Sequence, residues 1–165
     1  MNTQPTQQDD VWAALVQETS QFSAHLMQGG TVGDLRGISD REYEAVYALA
    51  RQFYDQRQYR QAFKVFSALV INNSMEPRFL MGLGACGQML GRYQDALTQY
   101  MTAAAVMMDD PQPVFHSAQC LVELGHREAA LETLELALSL CAEEKHASIA
   151  DLVKQLTNHL KTRPQ

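Results

Sequence analysis

The feature that most constrains this chain is a period of 34 residues. Ala62, Ala96 and Ala130 are spaced by it, as are Phe66, Tyr100 and Leu134, then Ala50, Gly84 and Ala118, and the pair Pro77 and Pro111. Between these markers apolar residues recur at helical spacing, and short polar turns such as "DQRQ", "NNSME", "LGR" and "LGHR" interrupt them. A two-helix unit of this size cannot bury its apolar faces alone, so copies must stack in register. The expected fold is an all-α solenoid of helical hairpins.

A small residue, then A-x3-F or a similar pair, at this period is the signature of the tetratricopeptide repeat. Three copies fit within 40–142. The first reads Val46, Leu49, Ala50, Phe53, then Ala62 and Phe66; the second reads Leu80, Leu83, Gly84, Gly87, then Ala96 and Tyr100; the third reads Val114, Ser117, Ala118, Leu121, then Ala130 and Leu134. No copy has the consensus tryptophan, and Ser117 stands where leucine is usual. Gly91 and Gly125 hold equivalent turns, where the first copy has Arg57. Pro77 and Pro111 fall too late to close a helix and are expected to open the next one, behind Glu76 and Asp110.

Flanking segments complete the plan. Residues 1–9 are polar and expected to be disordered, and Val11, Trp12, Leu15, Val16, Phe22, Leu26 and Met27 predict a helix over 10–28 that Gly29 and Gly30 end. It lies in an N-terminal helical segment, 10–36. Ser39 and Glu42 have capping-box spacing, which starts the next helix near residue 40. Residues 143–161 supply a C-terminal capping helix, with Ile149, Leu152, Val153, Leu156 and Leu160 on one face and polar residues on the other.

Composition narrows the function. A net charge of −6 opposes a phosphate backbone, so nucleic acid is excluded as a partner. No apolar run reaches the length of a membrane span, and "MNTQPTQQDD" lacks the basic and greasy character of a secretory signal, so stable membrane insertion is not expected and the chain is placed in the cytoplasm. Cys86, Cys120 and Cys141 have no C-x-x-C spacing and read as reduced, buried thiols. No metal site is expected.

Gly82, Gly84 and Gly87 spell G-x-G-x-x-G, the spacing that brings a backbone close to a dinucleotide pyrophosphate. That use requires a preceding strand, and none is predicted here. In the repeat register Gly84 matches Ala50 and Ala118 and reads as a packing glycine; Gly87 matches Phe53 and Leu121 and has no such account. Cofactor binding and catalysis find no other support. His25, His116, His126, His146 and His159 are scattered, while Asp109-Asp110 and Glu143-Glu144 stand where helices begin and carboxylates are favoured. The chain is not expected to be an enzyme.

Stacked repeats present a concave surface lined by their first helices. The inward offsets give Glu44, Tyr47, Arg51, Tyr54 and Asp55 in the first repeat, Arg78, Met81, Ala85, Gln88 and Met89 in the second, and Gln112, Phe115, Gln119, Val122 and Glu123 in the third. Tyr47, Tyr54, Met81, Met89 and Phe115 form an apolar strip in a polar frame, the composition of a peptide-binding groove. Only Arg51 and Arg78 are cationic there, which favours an apolar ligand over an acidic peptide. A general protein adaptor or regulatory cofactor is the alternative.

The "GGT" at 29–31, "VYALARQFYDQRQYRQAFKVFSALV", "RFLMGLGACGQMLGRYQDALTQY" and "PVFHSAQCLVELG" resemble the class II chaperones of bacterial type III secretion, over about residues 26–142. The resemblance implies a cytoplasmic chaperone that holds hydrophobic translocator proteins by an extended, proline- and leucine-containing segment in the concave groove. It places Tyr47, Tyr54, Tyr59, Met81 and Phe115 at groove-related positions, with Tyr59 opening the second helix of its repeat. It also implies a homodimer formed through the N-terminal segment, where Trp12, Leu15 and Val16 are apolar.

Overall fold

The computed structural model describes residues 27–162 throughout, together with Gln17, Ser20, Gln21, Ser23, Ala24 and His25. Every regular element among the described residues is helical. The chain divides into two units, Met1–Ser39 and Asp40–Gln165. Trp12, Leu15 and Val16, the residues expected to mediate dimerisation, lie outside the described residues.

In the first unit the described positions from 17 to 27 are helical. The "GGT" that follows has a separate physical role for each residue. Gly29 takes φ 83°, the left-handed turn that favours glycine, and Gly30 packs against the His25 ring with no room for a Cβ. Thr31 caps the short helix α1, Val32–Leu35. Its Oγ1 accepts from the Asp34 amide at 3.1 Å, and Asp34 Oδ2 accepts from the Thr31 amide at 2.6 Å.

The second unit is a run of helical hairpins. Helix α2 (Asp40–Asp55) pairs with α3 (Tyr59–Asn72), α4 (Pro77–Met89) with α5 (Tyr93–Val106), and α6 (Pro111–Glu123) with α7 (Arg127–Ser139). A 3-10 turn, Glu144–His146, leads into α8, Ala147–Thr162. Pro77 and Pro111 open α4 and α6, and the side chains of Glu76 and Asp110 accept from the amides of Arg78 and Gln112 at 3.2 and 2.8 Å. Glu143 departs from the expected capping role: its side chain makes no cap bond and pairs instead with Lys145 at 2.9 Å.

The repeat register is visible in the core. Ala62, Ala96 and Ala130 are each 0% exposed, and Phe66, Tyr100 and Leu134 are buried with them. Ser117 is buried too, and its hydroxyl donates to the Pro113 carbonyl at 2.9 Å. Helix α8 closes the stack with Val153 and Leu160 packed among Val114, Ala118 and Leu134, and the Arg127 guanidinium donates to the Leu160 carbonyl. At the other end α2 is the first helix of its unit, so Val46 and Leu49 remain 37% and 44% exposed where the repeat pattern predicts core.

The three glycines of G-x-G-x-x-G lie on α4, and each faces a different neighbour. A Cβ at Gly82 would enter the Phe66 ring of α3; at Gly84 it would stand 2.7 Å from the Tyr100 ring of α5; at Gly87, 3.2 Å from the Ala96 Cβ. Close packing on two neighbouring helices therefore accounts for Gly82 and Gly84, and at Gly87 the contact is tight without excluding a Cβ.

Candidate functional site: the concave groove

A cavity of about 470 Å³ opens between the first helices of the three hairpins. Helix α2 contributes Tyr47, Arg51 and Tyr54, α4 contributes Pro77, Arg78, Met81, Gly82, Ala85 and Gln88, and α6 contributes Gln112 and His116. Phe66 and Tyr100 reach it from the second helices, and Met107 from the C-cap of α5. The wall is an aromatic and methionine surface carrying a few polar tips, as peptide and small-molecule sites commonly are.

Aromatic contacts hold the α2 side. Tyr47 meets Phe66 edge-on at 6.0 Å and Phe79 at 5.9 Å between ring centroids, and the Arg78 guanidinium lies 5.0 Å above the Tyr47 ring. Tyr54 packs edge-on against Tyr59 at 5.3 Å. Both cations on the wall are already ion-paired: Arg78 with Glu44 at 2.7 Å and Glu76 at 2.9 Å, Arg51 with Asp55 at 4.0 Å. The Arg78 hydrogen bond holds the Glu44 carboxyl below the usual carboxylate range. Little free positive charge is left for an acidic ligand.

A chain of side-chain hydrogen bonds crosses the other end. The Tyr100 hydroxyl donates to Gln88 Oε1 at 3.0 Å, Gln88 Nε2 donates to Gln119 Oε1 at 3.4 Å, and His116 Nδ1 lies 2.9 Å from the same Gln119 oxygen. The His116 ring stacks on Tyr100 at 5.0 Å. Burial lowers the His116 pKa, because desolvation disfavours the imidazolium, and raises that of Tyr100.

Six of the ten residues assigned to the groove from sequence line this cavity: Tyr47, Arg51, Tyr54, Met81, Ala85 and Gln88. Tyr59 supports Tyr54 from behind, and Gln119 lines an adjoining hollow with Gln88, Tyr93 and Leu156. Met89 is 51% exposed and is not among the residues of this wall. Phe115 requires a correction. It is only 5% exposed and belongs to the core cluster of the third hairpin and α8, with Val153 and Leu134. The cap adds an apolar surface there that the first two hairpins lack, and Phe115 is buried in that cluster while Gln112 and His116 line the groove. His116 also lines the groove, although in the sequence it stands as one of several scattered histidines; the signal for it there is its i+4 spacing from Gln112.

Comparison with known proteins agrees with this geometry. The tetratricopeptide repeat family model matches residues 47–112. Low calcium response locus protein H of Yersinia pestis is 38% identical over 123 residues, spanning 74% of this chain and 73% of the relative. The solved type III secretion translocator chaperone SycD of Yersinia enterocolitica superposes with a TM-score of 0.73 at 34% identity, covering 79% of this chain and 98% of that one. The chain belongs to the type III secretion translocator chaperones. Another member of this chaperone family, PcrH of Pseudomonas aeruginosa, has been solved in complex with the chaperone binding region of PopD, and that structure shares 31% identity and a TM-score of 0.73 over 77% of this chain and 96% of its own.

Proposed function

We propose that this chaperone binds the hydrophobic translocator proteins of a bacterial type III secretion system in the cytoplasm, gripping an extended segment of each in the groove between α2, α4 and α6. The observation that carries the reading is the wall of Tyr47, Tyr54 and Met81, whose two cations each have a carboxylate partner, which suits an apolar peptide rather than an acidic one. The PcrH complex with the PopD segment supports the same mode of use. A translocator carries long apolar surfaces that aggregate when free, so keeping one ready for export requires tight, reversible cover. A proline-containing segment is already extended, and its capture costs little ordering entropy.

The reading involves no catalysis and no cofactor. Tyr47, Arg51, Tyr54, Met81, Ala85 and Gln88 are the proposed contact residues, with Tyr59 buttressing Tyr54. Self-association through Trp12, Leu15 and Val16 belongs to the same proposal, and the related SycD has been crystallised as an alternative dimer. Deleting 1–28 should then weaken self-association in sedimentation while α2 to α8 remain helical.

Co-expression with candidate partners from neighbouring genes, followed by pull-down and calorimetry, tests the groove. Tyr54→Ala should weaken binding about 30- to 1,000-fold, as truncation of a central aromatic does, while the circular dichroism of the fold is retained. Wild-type affinity in that variant would remove the groove from the mechanism.

A further inference from the structure

The polar chain at the third-repeat end of the groove has a direction, and the direction has a consequence for the ligand. Gln119 Oε1 accepts from Gln88 Nε2, and Gln88 Oε1 is occupied by the Tyr100 hydroxyl. With the two glutamine amides oriented in this way, the His116 nitrogen facing Gln119 Oε1 at 2.9 Å is assigned as the donor, since two acceptors cannot share that contact. A neutral imidazole protonated at Nδ1 has an unprotonated Nε2. The ring stacks on Tyr100 at 5.0 Å and has Phe115 tilted against it at 5.7 Å, and His116 lines the cavity. No protein donor bonds to Nε2 among the described residues.

We propose that His116 is a specificity residue of the groove, its ring fixed by Gln119 so that Nε2 accepts a hydrogen bond from a main-chain N–H of the extended peptide. This rests on the groove reading above. The assignment carries a sequence rule for the ligand: the peptide residue opposite His116 is not proline, because proline has no N–H to donate. Proline is favoured elsewhere along an extended ligand, so the rule sets the register in which a proline-containing segment lies. Protonation at Nε2 removes the acceptor, so binding weakens as His116 becomes charged. The other titratable groups lining this wall are Tyr100 on α5, Arg78 on α4 and Arg51, Tyr47 and Tyr54 on α2; Glu44, Glu76 and Asp55 pair with the two arginines, and the buried Cys86 and Cys120 thiols lie near Tyr100. Burial pushes the Cys86 and Cys120 thiols up to about 12 and about 11, whereas desolvation lowers the pKa of His116.

Two measurements test the proposal. Nitrogen-15 shifts of the His116 ring in the free protein should place the proton on Nδ1 at pH 7.5. Calorimetry with the chaperone binding region of PopD as probe, N-methylated one residue at a time, should then find one position where methylation costs about 5- to 30-fold in the wild type and less than about 2-fold in His116→Phe. Gln119→Leu, which frees the ring without removing it, should reduce the same coupling and serves if His116→Phe does not fold. A proton found on Nε2, or N-methyl effects identical in wild type and variants, overturns the proposal while leaving the groove intact. Failure of the wild type to take the PopD segment overturns the groove reading and this inference with it.

Discussion

Arg78 and Glu44 stand one full repeat apart in the chain, and their side chains meet at 2.7 Å across the faces of α4 and α2. The same repeat offset on successive hairpins thus becomes a contact between neighbours, and the guanidinium is delivered over the Tyr47 ring. Both partners are exposed, so the pair organises the groove rim more than it stabilises the fold. In Arg78→Ala the Glu44 carboxyl should titrate at a higher pH than in the wild type, because its hydrogen-bond donor is gone. Side-chain NMR titration measures the rise, and the melting temperature should stay near that of the wild type.

Substitutions of the α4 glycines should separate helix propensity from packing. Alanine is favoured over glycine in an isolated helix by about 1 kcal/mol, yet Gly84→Ala directs its methyl at the Tyr100 ring and should destabilise by about 1–3 kcal/mol. Gly82→Ala, facing Phe66, should do the same. At Gly87 the neighbours need only a small shift, and alanine should be close to neutral. Chemical denaturation ranks the three, and Tyr100→Leu should relieve Gly84→Ala by restoring the Ala118 and Leu134 pairing of the third hairpin.

Arg57 has φ 60°, a left-handed conformation that Gly91 and Gly125 adopt at the equivalent turns with φ 70° and 79°. An L side chain is strained there, whereas glycine is not. Arg57→Gly should stabilise the protein by about 0.5–1 kcal/mol, net of the extra freedom glycine gives the unfolded chain. A lower denaturation midpoint in the variant would contradict this account of the turn.

Phe115→Ala should behave as a core mutation and not as a groove mutation. Loss of a buried phenylalanine from the cluster with Val153 and Leu134 should cost about 3–5 kcal/mol. The melting temperature should fall sharply, and hydrogen exchange should accelerate first in α6, α7 and α8. Tyr54→Ala, on a half-buried side chain of the wall, should show the reverse pattern of strong binding loss and modest destabilisation.

His116 makes folding stability depend on pH. Its pKa in the folded protein is lowered from 6.5 because burial disfavours the imidazolium, so the folded chain binds fewer protons than the unfolded one. Its neutral form supports the fold fully above pH 6.5, and that contribution declines as the pH falls below 6.5 towards the folded value. Denaturation at pH 7.5 and 5.5 should show a smaller acid loss in His116→Phe than in the wild type.

What the sequence by itself determined is the repeat and its punctuation. Small residues at Ala62, Ala96 and Ala130, prolines at Pro77 and Pro111 behind acidic caps, and left-handed turn positions at Gly91 and Gly125 act locally or between adjacent helices. Such interactions depend on spacing along the chain, and spacing is legible in a string of letters. Tertiary structure decided which face of each first helix looks into the groove. Phe115 has the repeat offset of Tyr47 and Met81 but lies in a core that also includes residues of α8, so the third hairpin offers Gln112 and His116 instead. Val46 and Leu49 share the offsets of buried residues but sit on the first helix of their unit and stay exposed. The chain from Tyr100 through Gln88 and Gln119 to His116 joins three helices at separations of 12, 31 and 3 residues, which match no single period. A periodic pattern describes the average environment of a position, whereas the ends of a stack and the contacts across it depend on what lies beside each copy, and only the packed helices supply that.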